Sequence, residues 1–119
     1  MDTAIRAGLS TSALKQLQEV WSLTIAELSS ALAIPRSTLL QMMRSPRKMS
    51  SADSDRLYRF TQILSLAEQY IGNRQDALGW FRAPNSTLGS VTPFHAIETE
   101  IGRQRVIQVL GAIAYGGVA

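Results

Sequence analysis

The stretch Trp80-Phe81-Arg82-Ala83-Pro84-Asn85-Ser86-Thr87-Leu88-Gly89-Ser90-Val91-Thr92-Pro93-Phe94-His95-Ala96-Ile97-Glu98-Thr99-Glu100-Ile101-Gly102 decides how this chain is read. Pro84-Asn85 and Leu88-Gly89-Ser90 are turn signals, because proline fixes φ while asparagine and glycine tolerate the left-handed region. Thr92 before Pro93 marks a helix start, with a hydroxyl at the N-cap and a proline at the first helical position. From Ile97 onward apolar residues recur at Ile101, Val106, Val109, Leu110 and Ile113, which predicts one helical stripe. Gly116 and Gly117 end that helix and leave a short tail of small residues. These residues are turn, capped helix and glycine stop, with no catalytic constellation among them.

The order of these pieces closely resembles the toxin-binding domain of the Xre/MbcA/ParS antitoxins. The resemblance rests on Trp80, Pro84-Asn85, Leu88-Gly89, Thr92-Pro93, Thr99-Glu100-Ile101-Gly102, Val106, Leu110 and Tyr115-Gly116. It implies an antitoxin whose partner is a RES-domain toxin, a class that consumes NAD+, blocked when the antitoxin's C-terminal region covers the active-site cleft. On this chain the implied toxin-binding residues are Pro84, Asn85, Leu88, Gly89, Thr92 and Glu100, then Tyr115, Gly116, Gly117, Val118 and Ala119. Trp80, Ile97, Val106 and Leu110 are expected in the core.

Length and composition narrow the function classes. A chain of 119 residues suits one compact domain or two small joined ones. Its 45% hydrophobic content is enough for a core and argues against disorder. The absence of cysteine excludes disulfides and thiolate metal sites, and one histidine, His95, makes a histidine-based metal site a poor expectation. No cofactor is expected. The first residues lack an apolar signal core, and Val106 to Ala119 is too short for a membrane span. A soluble, cytoplasmic protein without enzymatic activity is the expectation.

The net charge of +3 is concentrated in the middle of the chain. Between residues 36 and 59 stand Arg36, Arg44, Arg47, Lys48, Arg56 and Arg59 against only Asp53 and Asp55. A phosphate backbone would attract such a segment, although a solvated face is the plain alternative.

Periodicity places that segment in a helix-turn-helix. Thr11 or Ser12 can cap a first helix bearing Leu14, Leu17 and Trp21. Ser22 interrupts it, and Thr24 with Glu27 forms a capping box for a second helix. Ala33-Ile34-Pro35 reads as a tight turn, and Arg36 to Met43 as a third helix. Leu28, Leu32, Ile34, Leu39 and Met42 are expected to be buried, and Ser29 to let the two helices approach. The run from Thr24 to Leu39 resembles an Xre-type helix-turn-helix, with two departures. Ala33 stands where glycine is usual, which suits a turn only if φ stays negative. Pro35 stands where a hydroxyl cap is usual, supplying φ but no capping oxygen.

A third helix in a major groove would turn Arg36, Ser37, Thr38 and Gln41 toward base edges, leaving Arg44, Arg47 and Lys48 for phosphates. A helix-turn-helix kept only as scaffold is the alternative, and Leu40 and Met43 near the surface could form an interface instead. Ser50 or Ser51 caps a long helix carrying Leu57, Phe60, Leu64, Ala67 and Ile71. Gly72-Asn73 breaks it, and Asp76 to Arg82 forms a short helix with Leu78, Trp80 and Phe81.

The expected fold is therefore all-α: a helix-turn-helix unit over residues 1–50, a connecting helix over 51–72 and a toxin-binding domain over 73–119. The expected function is an antitoxin, likewise a homodimer that binds operator DNA and represses its own operon. A stand-alone transcriptional regulator with a C-terminal oligomerisation domain is the alternative. A protein-interaction module that no longer touches DNA is the third reading.

Overall fold

The computed structural model describes residues 8–116. Among them the chain forms seven α-helices and one 3-10 turn, and no strand beyond two isolated bridges. The helices are α1 (Ser12–Trp21), α2 (Ile25–Leu32), α3 (Arg36–Arg44), α4 (Ser51–Ile71), α5 (Arg74–Arg82), α6 (Pro93–Ala96) and α7 (Glu100–Ala114), with the 3-10 turn at Ser86–Leu88. Two compact units divide between Thr61 and Gln62, inside α4. Most of the segment expected to connect the units, Ser51–Ile71, is thus a continuous helix whose first half belongs to one unit and whose second half belongs to the other.

In the first unit, α3 packs on both α1 and α2. Leu14, Leu17, Trp21, Leu28, Leu32, Ile34, Leu39 and Met42 are buried, joined by Leu23 and Met49. The Thr24 hydroxyl accepts from the Glu27 amide, and Glu27 accepts from the Thr24 amide, completing the capping box. The expected cap of α1 is different. Thr11 is helical itself and makes no side-chain cap; its buried hydroxyl instead accepts the Arg47 amide at 2.9 Å. Local sequence favoured the cap, but a donor 36 residues away takes the oxygen.

The turn between α2 and α3 also departs from expectation. Ala33 adopts φ of 54°, the left-handed region that its Cβ disfavours. The surrounding bonds impose that conformation. The Ala33 amide donates to Ser30, the Ile34 amide donates to Ser29, and the Ser29 hydroxyl donates to the Ile34 carbonyl at 2.6 Å. This is a Schellman arrangement with buried Ile34 as its apolar anchor. Ser29 therefore braces the turn as well as leaving room for it.

The second unit is built from the second half of α4, α5, α6, α7 and the 3-10 turn around Ile63, Leu64, Ala67, Ala77, Phe81, Phe94, Val106 and Leu110. Phe81 meets the Trp80 ring edge-on at 5.3 Å and the Phe94 ring at 5.2 Å. Trp80 itself is half-buried. Helix α5 starts two residues before the predicted Asp76, because the Asn73 side chain accepts from the Asp76 amide and caps it. The predicted stripe from Ile97 is interrupted too. Helix α6 ends at Ala96, and Thr99 caps a new helix by accepting from the Gly102 amide. The interruption changes the helical phase, leaving Ile97 buried and Ile101 70% exposed.

Candidate functional site

Helix α3 buries Leu39 and Met42 and exposes Arg36, Ser37, Thr38 and Gln41. Arg36, Ser37 and Thr38 form the open first turn of the helix, where Pro35 offers no side-chain cap, and Gln41 lies about one turn further on. First-turn amides and the positive end of the helix are therefore open to an acceptor. Leu40 is 43% exposed on the same helix, and Met43 is half-buried.

The charge excess is sharper in three dimensions than in sequence. Arg56 pairs with Asp53 at 3.6 Å, and Arg59 pairs with Asp55 at 3.0 Å. Arg36, Arg44, Arg47 and Lys48 have no carboxylate partner among the described residues and are exposed. Four solvated cations on α3 and the loop after it form the basic surface of this unit.

Backbone pairing holds that loop. The Thr11 amide donates to the Arg47 carbonyl at 2.8 Å and the Met49 amide to the Leu9 carbonyl at 2.7 Å, around a bridge between Ser10 and Lys48. Leu9 in turn donates to the buried Ser54 hydroxyl at 2.8 Å. With Met49 buried as an anchor, the Arg47 and Lys48 side chains project outward. The segment from Gly8 to Ser10 is thus part of the support for the basic loop. Nothing local in the sequence marks Thr11 or Ser54 for this role, because their partners are distant in the chain.

The second candidate surface is divided by burial. Asn85 and Leu88 lie inside: the Asn85 side chain accepts from the Thr87 amide, its backbone pairs with Val91, and Leu88 is 7% exposed. Both residues shape the turn, and Leu88 still reaches the groove beside it. Thr92 is also engaged, its hydroxyl accepting the His95 amide. Pro84, Gly89, Glu100, Tyr115 and Gly116 are exposed, with Tyr115 at 89%. Glu100 pairs with Arg103 at 3.1 Å. Gly117, Val118 and Ala119 lie outside the described residues.

Next to this turn the structure opens a groove of about 370 Å³ between the turn, α6 and α7. Leu88, Val91, Ala96 and Ile101 contribute to it, together with the charged Glu98 and Arg105. His95 Nδ1 lies 3.2 Å from a Glu98 carboxylate oxygen on its border. Sequence reasoning missed this surface by assigning Ile101 to the core stripe. Thr99, a second N-cap candidate three residues before Gly102, was the signal that resets the phase.

Among the described residues no group of three or more His, Asp or Glu side chains could hold a metal ion, and no helix is long and apolar enough to cross a membrane.

Comparison with known proteins divides the chain at nearly the same place. Residues 1–61 match the antitoxin Xre-like helix-turn-helix domain, and residues 66–116 match the antitoxin Xre/MbcA/ParS C-terminal toxin-binding domain. Antitoxin Xre of Yersinia enterocolitica is 25% identical over 114 residues, covering 95% of this chain and 77% of the relative. Antitoxin Xre of Pseudomonas putida is 30% identical over 114 residues, covering 96% and 70%. Antitoxin Xre of Photorhabdus laumondii is 32% identical over 73 residues, covering 60% and 49%. With a DNA-binding type of helix-turn-helix in one unit, a toxin-binding domain in the other and likeness to the Yersinia and Pseudomonas antitoxins over 95% and 96% of its length, the chain belongs to the Xre/MbcA/ParS family of type II antitoxins, which are not enzymes.

Proposed function

We propose that this antitoxin neutralises a RES-type, NAD+-consuming toxin by covering its active site, and that it binds operator DNA as a homodimer to repress its own operon. The observation that carries the DNA half is the set of four exposed cations on α3 and the loop after it, which have no carboxylate partner among the described residues. Arg36 and Gln41 have the side-chain chemistry to read guanine and adenine edges, and Arg44, Arg47 and Lys48 to hold phosphates. A dimer would present two such helices to a palindromic site. The toxin half is supported by the family resemblance from Trp80 to Gly116 and by the exposed Pro84, Gly89 and Tyr115 around the second unit. The tail from Tyr115 to Ala119 is assigned to the toxin cleft.

The test separates the two halves. Cells expressing the toxin from the neighbouring gene are followed for growth and NAD+ with wild-type antitoxin, with Arg36→Ala and with residues 115–119 deleted. Arg36→Ala should abolish operator binding and leave NAD+ protected, while the deletion should do the reverse. Equal loss of both functions in either variant would contradict the division of labour. A fall in NAD+ that wild-type antitoxin does not prevent would remove the RES assignment.

A further inference from the structure

We propose that the groove between the 3-10 turn, α6 and α7 is a toxin-docking surface in its own right, receiving an apolar side chain of the toxin on Ile101 and a toxin carboxylate on Arg105. This rests on the toxin-binding reading of the second unit and adds a surface separate from the tail. Ile101 is 70% exposed in the second position of a 15-residue helix, although its sequence neighbours on the apolar stripe are buried. Exposure of that size on a branched aliphatic side chain is ordinary when isolated. Here it adjoins a groove that already includes the apolar Leu88, Val91 and Ala96.

The charges around the groove select the occupant. Glu98 is engaged with His95 at 3.2 Å, and Glu100 pairs with Arg103 at 3.1 Å just outside. Arg105 lines the groove and has no hydrogen bond or ion pair among the described residues. An apolar surface with one uncommitted guanidinium at its edge complements a segment that carries an apolar residue next to an aspartate or glutamate. The groove also has a fixed shape. A Cβ on Gly102 would overlap the Ala96 carbonyl oxygen, so α6 and the start of α7 touch backbone to backbone. A preformed surface of this kind costs little ordering on binding. It lies wholly within residues 88–105, inside the part of the chain that matches the toxin-binding domain.

The experiment titrates the full-length antitoxin, as wild type, Ile101→Asp and Arg105→Glu, against the purified toxin from the neighbouring gene. Thermal melts and operator binding of each variant are measured in parallel. Both residues are exposed, so melting temperature and operator affinity should stay at wild-type values. Ile101→Asp should weaken toxin binding by at least about 30-fold, and Arg105→Glu by about 10-fold or more, as expected for a central anchor and a complementary charge. Wild-type toxin affinity in both variants would overturn the proposal while leaving the antitoxin reading intact. Failure of the wild-type chain to bind the toxin would overturn both. Loss of self-association on light scattering, with toxin affinity unchanged, would assign the groove to a second copy of this chain and overturn the proposal in that way.

Discussion

The two units end their helices by different means. At the ends of α1 and α2, the first unit places Ser22 and Ala33 in the left-handed region, each with φ of 54°. The second unit uses Gly72 at the end of α4 and Gly89 after the 3-10 turn, with Ser90 as its exception. Glycine adopts that conformation without a Cβ penalty, whereas alanine is held there against about 1–2 kcal/mol. The first unit can bear the cost because buried Leu23 and Ile34 follow directly after the strained residues and pin them through packing. One unit is shaped by its tertiary contacts, the other mainly by the local choice of residue. Helix α3 is therefore aimed by the core beneath it.

That contrast can be broken or sharpened by three substitutions. The largest effect is expected in the second unit, where Gly102 is required by close approach rather than by φ. Gly102→Ala forces α7 away from the Ala96 carbonyl and should destabilise the unit by about 3 kcal/mol, read as a lower thermal midpoint with loss of amide protection in α6 and α7. An unchanged midpoint would mean that the crossing is soft. Ser29→Ala removes the hydroxyl that donates to Ile34 and should cost about 1 kcal/mol in denaturant titration, with reduced amide protection around residues 33–36. No loss would show that packing of Ile34 alone holds the turn. The smallest change has the opposite sign. Ala33→Gly should stabilise the chain by about 0.5–1 kcal/mol, since relief of the left-handed strain exceeds the added freedom of the unfolded chain. A destabilised Ala33→Gly variant would place the strain elsewhere and undo the comparison.

The same contrast explains what could be read from sequence. Features settled within four residues were legible: the Thr24–Glu27 box, the Thr92-Pro93 helix start, and the burial of Leu28, Leu32, Ile34, Leu39 and Met42. So was the exposure of Arg36, Ser37, Thr38 and Gln41, which follows from the phase of that core. Features set by distant partners were not. Thr11 looks like a helix cap and serves Arg47; Ser54 looks like a first-turn serine and holds Leu9. Ala33 is a local exception: the turn closes through amides donated to the neighbouring Ser29 and Ser30 carbonyls, but an alanine carries no sign of the positive φ that this requires. The break after Ala96 was hidden for another reason. Apolar residues at 97, 101 and 106 fit one helix in periodicity, and only the Thr99 cap and the tight approach at Gly102 separate two. Ile101, and with it the groove, was therefore legible only in part. The contrast between buried Asn85 and Leu88 and exposed Tyr115 also needed coordinates, since turn-forming and partner-binding residues share one composition.

The anchoring of the basic loop has a consequence for how the protein is made. Arg47 and Lys48 are positioned by residues 8–11, but Leu9 is itself fixed by the Ser54 hydroxyl in the first turn of α4. During synthesis the whole of α1, α2 and α3 leaves the ribosome before the bond that closes this loop can form. Chains emerge at about 5–20 residues per second, so the delay between Lys48 and Ser54 is on the order of a second. For that interval the Leu9 amide lacks its Ser54 acceptor, and the basic loop is held only by its bonds to Leu9 and Thr11 until the next helix has begun.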